Sequence, residues 1–380
     1  MSEKYEVLIV GGGVIGLSIA RELHRNGVRR IAVVERGSVG QEASWAAAGM
    51  LSPNVETDVG TVFHRFCRES LEMYPRFAAE LFDETGVDVE LDRSGTMFVA
   101  FGEDDGKKLV AEYQKLHDAG IEVETLSGED ILKAEPELSS LVQTGLSFSS
   151  DWQVENRKLL AALRRYAELN GIEIIENTSI DELTVESGRV RGARSESAEY
   201  LANATVLATG AWTSLIKFGG FASPISIKPI RGQMIRFDCG TRFLEKVVYG
   251  PGCYLVPRVD GRILAGSTTE DVGFEKGVTE TAVKHLSEAA YAILPALREL
   301  EIAGSWSGLR PRSEDAMPVI GSVTGFEDLA VATGHYRNGI LAAPHTAKIV
   351  AERIVSGAKS AYFDAFDPNR FAAAVSAKAK

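Results

Sequence analysis

Residues 5–35 carry a strand, a glycine-rich turn, a helix and a second strand ending in an acid, and no other stretch constrains the fold as tightly. Tyr5-Glu-Val-Leu-Ile-Val10 runs into Gly11-Gly12-Gly13-Val14-Ile15-Gly16, a helix follows through Arg25, and Ile31-Ala-Val-Val-Glu35 closes the unit. Each glycine has a separate task in such a βαβ unit. Gly11 permits the tight turn, Gly13 lets backbone approach a pyrophosphate, and Gly16 lets helix and strand pack closely. The helix N-terminus offers unpaired N–H groups and a partial positive charge to phosphates. Glu35 stands 19 residues after Gly16, where a carboxylate accepts hydrogen bonds from ribose hydroxyls. The unit therefore predicts an ADP-containing cofactor.

At 380 residues, with 45% apolar and 25% charged residues, the chain has the balance of a globular protein large enough for two domains. A net charge of −12 argues against nucleic acid or an anionic membrane surface as a general partner. Cys67, Cys239 and Cys253 are far apart, form no metal-type spacing, and suit a reducing compartment. The first apolar run already belongs to the opening strand and no run approaches membrane-spanning length. The expectation is a cytoplasmic protein with no signal peptide.

Along the chain, small residues at Ala43-Ser-Trp-Ala-Ala-Ala-Gly-Met-Leu51 let backbone pass close to something bulky. Periodicity predicts helices over 64–85, 105–120, 156–171, 279–294 and 343–355, with a short one opening near Ser127. Strands are expected over 96–101, 172–175, 180–185, 190–193, 233–238, 253–256 and 262–266. A buried strand from Ala204 runs into a glycine turn ending at Trp212. Leu329-Ala-Val-Ala-Thr-Gly-His-Tyr-Arg-Asn-Gly339 returns late in the chain to cofactor-like chemistry. The fold class expected is α/β: a Rossmann-like nucleotide domain with an inserted α+β substrate domain on a mainly antiparallel sheet. The nucleotide domain takes residues 1–85, 143–222 and 305–380; the substrate domain takes 86–142 and 223–304.

Seven segments in this order resemble the D-amino-acid oxidase family of FAD-dependent amine oxidoreductases, and within it the glycine oxidases of the thiamine-biosynthesis type. They are the opening fingerprint, Ala46-Ala-Ala-Gly-Met-Leu51, Ala208-Thr-Gly-Ala-Trp212, Lys228-Pro-Ile-Arg-Gly-Gln233, Cys253-Tyr-Leu-Val-Pro257, Gly308-Leu-Arg-Pro311 and Gly334-His-Tyr-Arg-Asn-Gly-Ile340. The resemblance covers essentially the whole chain. It implies non-covalent FAD, because Ser307 stands about where sarcosine oxidases carry a flavin-linking cysteine. It implies a cofactor set of Gly11, Gly13, Val14, Ile15, Gly16, Glu35, Arg36, Ser44, Ala47, Ala48, Gly49, Met50, Ile180, Thr209, Gly210, Trp212, His335, Tyr336, Arg337, Asn338, Gly339 and Ile340. It also implies O2 as acceptor and a homotetramer.

For substrate, the resemblance puts Arg310 on the carboxylate of a small amino acid, with Tyr254 as hydroxyl donor and Arg337 near the substrate or flavin edge. A planar guanidinium binds a carboxylate bidentately, which suits a substrate whose only strong handle is that group. Hydride transfer needs no side-chain base when the amine arrives neutral, in keeping with the lack of a nucleophile–His–Asp order or metal-type histidine spacing. Gly252 and Thr268-Thr269 depart from the glycine-oxidase pattern at positions expected to shape the pocket, leaving room for sarcosine, D-alanine or D-proline. Arg312 has no assigned target beyond solvent. Two other readings stay open: a dehydrogenase passing electrons to a quinone or another protein, and a flavoprotein that is non-catalytic or a subunit of a larger amine-oxidising complex.

Overall fold

The structure, a computed structural model, describes residues 4–371; residues 1–3 and 372–380 of the expected nucleotide domain lie outside it. Two large sheets organise the chain. In the first, Glu173–Ile175, Ile31–Val34, Tyr5–Val10, Glu199–Leu207 and Phe326–Thr333 lie side by side and parallel. Glu182–Glu186 and Arg189–Arg194 add an antiparallel hairpin at one edge. The opening strand is buried on both faces, as parallel strands covered on two sides must be. Its alternation divides the work: Val7 and Ile9 pack toward the helices Val14–Arg25, Val62–Thr85, Asn156–Leu169 and Gly339–Ser356. Leu8 and Val10 pack the other way, with Leu183, Val190, Phe218 and Ile225.

The second sheet runs Gly304–Arg312, Lys228–Asp238, Arg262–Gly266, Cys253–Pro257, Val247–Gly250, Thr96–Ala100, Thr144–Phe148 and Glu124–Ser127. Only the pairing of Val247–Gly250 with Thr96–Ala100 is parallel. The expected α/β architecture with a mainly antiparallel second sheet is thus present. Thr144–Phe148 and residues 305–312 of Gly304–Arg312, which the expected division puts with the nucleotide domain from 143 and 305 onward, hydrogen-bond into this sheet. The second pairs along its length, from Gly304 opposite Arg236 to Arg312 opposite Lys228. Their strand-like composition fits either sheet, and only the partner strands distinguish the two.

Helix ends follow local chemistry. Val62–Thr85 starts where the Thr61 hydroxyl accepts from the His64 N–H at 3.1 Å, and stops at left-handed Gly86. The strand expected from Ile180 begins only at Glu182. The last long helix starts at Gly339, four residues before its expected start, and runs straight through Pro344. Proline at 344 has no N–H to give the Ile340 carbonyl. The Tyr74 hydroxyl donates to that carbonyl instead at 2.5 Å, and Ser70 donates to the Leu341 carbonyl at 2.6 Å. Residues of another helix thus make good what the proline removes, and hold the N-terminus of 339–356 in place. Tyr74→Phe leaves the Ile340 carbonyl unpaired and buried; urea unfolding is expected to record a loss of about 1–3 kcal/mol.

Candidate active site

A cleft of about 510 Å³ lies between the two sheets. One end is built by the opening βαβ unit. Gly16 packs so tightly on the turn that a Cβ there would stand 1.9 Å from the Gly11 carbonyl oxygen. Gly16 is the one member of the expected cofactor set that does not line the cleft, and close helix–strand packing is its contribution. The Glu35 carboxylate accepts from the Gly12 N–H at 2.8 Å and the Gly37 N–H at 3.1 Å, so its oxygens are oriented by the loop itself. Ser44 Oγ accepts from the Val14 N–H at 3.0 Å, while Gly13 gives the helix no side-chain cap. Leu17 N–H already returns to the Gly13 carbonyl at 3.0 Å, so the N–H groups of the first turn left without a partner are those of Ile15 and Gly16. Farther along, the Arg36 guanidinium lies 4.3 Å over the Trp212 ring, and Ile180, Thr209 and Gly210 complete this end.

The middle of the cleft is formed by Ala47, Ala48, Gly49 and Met50. The segment's position is dictated by neighbours. At Gly49 a Cβ would meet the Val154 carbonyl oxygen at 2.1 Å. Buried Arg258 donates to the Ala48 carbonyl at 2.7 Å, the Val154 carbonyl at 3.0 Å and the Gln153 side chain at 3.0 Å. Asn156 donates to the Ser44 and Trp45 carbonyls at 2.8 and 3.0 Å. Opposite stands the loop at 334–338. His335 is buried and hydrogen-bonded to Thr346 at 3.0 Å; burial pushes its pKa down to about 3, so the ring stays neutral. Tyr336 N–H donates to the Pro311 carbonyl at 2.9 Å. Asn338 precedes the helix without capping it; its side-chain amide donates to the Glu56 carbonyl at 3.2 Å. The first N–H groups of Gly339–Ser356 are therefore free at the cleft.

The far end carries Tyr254, Arg310 and Arg337, which the fold brings together from three separate stretches of chain. Arg310 lies across the second sheet. It passes over Gly232, where a Cβ would be 2.1 Å from its Nη1, and donates to Ser267 Oγ at 2.6 Å and the Thr268 carbonyl at 3.1 Å. Tyr254, two strands farther on, is buried, and burial raises its pKa so that the phenol keeps its proton. Arg337 pairs with Glu56 at 2.9 Å. Glu56 and Met234 also line this end, and no motif marks either. Gly252 is corrected: it sits in a hairpin turn against Ala289, outside the cleft lining. Thr268 turns its hydroxyl to the Gln233 N–H and Glu270, and neither it nor Thr269 narrows the pocket. Arg312 stands 5.8 Å over the Tyr336 ring.

The chain matches the family described as DAO, FAD dependent oxidoreductase, over residues 6–353. It belongs to this family of FAD-dependent oxidoreductases. Glycine oxidase of Pseudomonas aeruginosa is 36% identical over 94% of this chain and 96% of its own. The crystal structure of glycine oxidase from Geobacillus kaustophilus superposes with a TM-score of 0.90 at 32% identity, covering 97% of this chain and 99% of that one. Hydrogen cyanide synthase subunit HcnC of Pseudomonas aeruginosa is 29% identical over 93% of each chain. The cofactor of this oxidoreductase is FAD. The residues fit it: two helix N-termini line the cleft with no side-chain cap from their N-cap residues, a carboxylate is oriented at the ribose position of the βαβ unit, and Ala47, Ala48 and Gly49 present little side-chain bulk. Glu35→Ala is expected to lower FAD affinity at least ~tenfold by removing ribose acceptors and loosening the Gly12 turn. Flavin absorbance after gel filtration, beside an unchanged far-ultraviolet circular dichroism spectrum, is the check.

Proposed function

We infer that this oxidoreductase oxidises glycine and other small amines, sarcosine and small D-amino acids among them, with O2 as the final acceptor. The observation that carries this reading is the Arg310 guanidinium. It is half-buried at the far end of the cleft and donates only to neutral oxygens, with no carboxylate at ion-pair distance among the described residues. Burial lowers its pKa, arginine in proteins stays charged, and a half-buried cation with spare N–H donors is matched by a small carboxylate. The resemblance of the chain to glycine oxidases along nearly its full length supports the same substrate class.

In this reading Arg310 holds the substrate carboxylate bidentately and the Tyr254 hydroxyl donates to the same group. Met234 and Tyr254 wall the pocket so that the carbon bearing the amine points back toward Ala48–Met50. When bound, FAD would supply the acceptor for a hydride from that carbon. The protein's part is orientation, which is chiefly a proximity effect. No side-chain base is required for an amine that arrives neutral; His335, neutral and tied to Thr346, is not a candidate. The substrate leaves as an imine, water hydrolyses glycine's imine to glyoxylate and ammonia, and the electron pair reduces O2 to H2O2. The FAD is held without a covalent bond, since Ser307 carries no thiol and donates to the Lys276 carbonyl. Cytoplasmic location and a homotetramer complete the proposal; no helix among the described residues is long and apolar enough to cross a membrane.

The decisive experiment mixes the purified yellow protein anaerobically with glycine, sarcosine, D-alanine, D-proline and L-alanine, then admits air. Bleaching by glycine and recovery in air with H2O2 is expected. Bleaching without recovery would replace the oxidase by a dehydrogenase with another acceptor, and no bleaching would remove the substrate class. Arg310→Ala is expected to weaken substrate binding by ~2–5 kcal/mol, read as a rise in the concentration that half-bleaches the flavin; an unchanged value would take Arg310 out of the site. Flavin released into the supernatant by acid precipitation is expected for the non-covalent cofactor.

A further inference from the structure

The far end of the cleft holds two guanidinium groups, Arg310 and Arg337, and the Glu56 carboxylate, and the two cations are not equivalent. Arg310 meets neutral oxygens only. Arg337 is paired: its Nε lies 2.9 Å from Glu56 Oε2. The other oxygen, Oε1, accepts from the Tyr249 hydroxyl at 2.8 Å. Tyr249 packs in turn against Tyr254, with ring centroids 5.4 Å apart. The Glu56 side chain is only 11% exposed, against 33% for Arg337, so the carboxylate is the more sequestered member of the pair.

We propose that Glu56 is a specificity-determining residue which, by neutralising Arg337, restricts the site to amines carrying a single anionic group. The proposal rests on the reading of Arg310 as the carboxylate-binding group. With Glu56 in place, Arg310 is the uncompensated member of the two guanidiniums at this end of the cleft, and one substrate carboxylate cancels it. A second carboxylate would find Arg337 already occupied and Glu56 close by. Like charges brought together in a site shielded from water are costly, so this arrangement excludes rather than merely fails to attract. Removing the charge of Glu56 would free Arg337 as a second anion-binding group.

The carboxylate is not needed as a clamp for its own segment. The Glu56 N–H donates to the Ser52 carbonyl at 3.0 Å, and Asn338 donates to the Glu56 carbonyl at 3.2 Å. The main chain is therefore anchored independently of the side chain. A glutamine at this position would still accept from the Tyr249 hydroxyl, which makes Glu56→Gln a change of charge more than of shape.

The test uses the holoenzyme and two ligands that cannot be oxidised as amines. Methoxyacetate carries one carboxylate and diglycolate carries two on a similar ether frame. Each is titrated while its perturbation of the visible flavin spectrum is followed, in the wild type, Glu56→Gln and Glu56→Asp. The wild type is expected to prefer methoxyacetate at least ~tenfold, Glu56→Gln to shift that preference toward diglycolate by at least ~tenfold, and Glu56→Asp to keep the wild-type order. A purely structural role would weaken both ligands together and leave the ratio alone. A Glu56→Gln ratio within about twofold of the wild type overturns the proposal. So does a wild type that binds both anions equally, or no spectral response from any form. Bleaching by glycine in the same preparation separates these failures from failure of the amine-oxidase reading, which would stand without the role of Glu56.

Discussion

A short segment that belongs to neither large sheet must be held where they meet, and the rest of the site depends on how this is done. Ala47–Met50 has only a two-residue ladder of its own, Met50 and Leu51 opposite Gln153 and Trp152. Its fixity comes from buried Arg258, which reaches out from the second sheet to the carbonyls of Ala48 and Val154, and from Asn156, at the head of a helix on the first sheet. Glu155 supplies a counter-charge to Arg258 at 3.4 Å and is shared with Arg262 at 2.7 Å. A buried guanidinium is tolerable only when its donors are used and its charge is matched. Here both terminal nitrogens are used, by Gln153, Val154, Ala48 and Asn156, while Nε has no hydrogen-bond partner and is matched by the Glu155 charge alone. The small side chains of 47–50 then cost nothing in packing on the cleft side, because positioning is delegated to their backbone carbonyls.

Although the chain carries a net charge of −12, the side chains lining the cleft are balanced, with four acids (Glu35, Glu42, Glu56, Asp181) and four bases (Arg36, Lys217, Arg310, Arg337), and two helix ends add positive charge that no mobile side chain supplies. The N-terminal turns of Val14–Arg25 and Gly339–Ser356 both end at the cleft without a side-chain cap from the N-cap residue. Each brings a fixed partial positive charge that water does not have to reorganise to supply. The second of these helices could not start where it does without Tyr74 and Ser70 repairing the consequences of Pro344. An element distant from the chemistry thus sets the direction of a dipole at the site.

The cofactor half of the site was legible because its chemistry is local. Gly11, Gly13, Gly16 and Glu35 act within 31 consecutive residues read as a single βαβ unit, and spacing alone reports it. The substrate half is not local. Arg310, Tyr254 and Arg337 could be picked out because each sits in a recognisable segment, yet what positions them is dispersed. Gly232 makes room for Arg310 from a neighbouring strand, and nothing in the surrounding sequence says that a guanidinium will lie over it. Glu56, Tyr249 and Arg258 act through partners roughly 100 to more than 200 positions away along the chain. The same limit explains why the sheet that residues 144–148 and 304–312 join could not be read from the sequence, and why a pocket role was expected for Gly252. Pattern identifies a strand or a turn, while only pairing tells which sheet it joins and which way it faces.

Arg310 and Arg337 illustrate why counting charged residues in a cleft is a poor guide to what it binds. Both guanidiniums reach the same end, but their surroundings differ: one faces hydroxyl and carbonyl oxygens, the other a carboxylate. An ion pair already made has little left to offer an incoming anion, whereas a half-buried cation satisfied only by neutral acceptors gains a full counter-charge on binding. Residue type places two candidates for substrate recognition at this end, and pairing separates them. On the proposed reading, the free energy of binding a small carboxylate would therefore concentrate on Arg310, while Arg337 stays paired with Glu56.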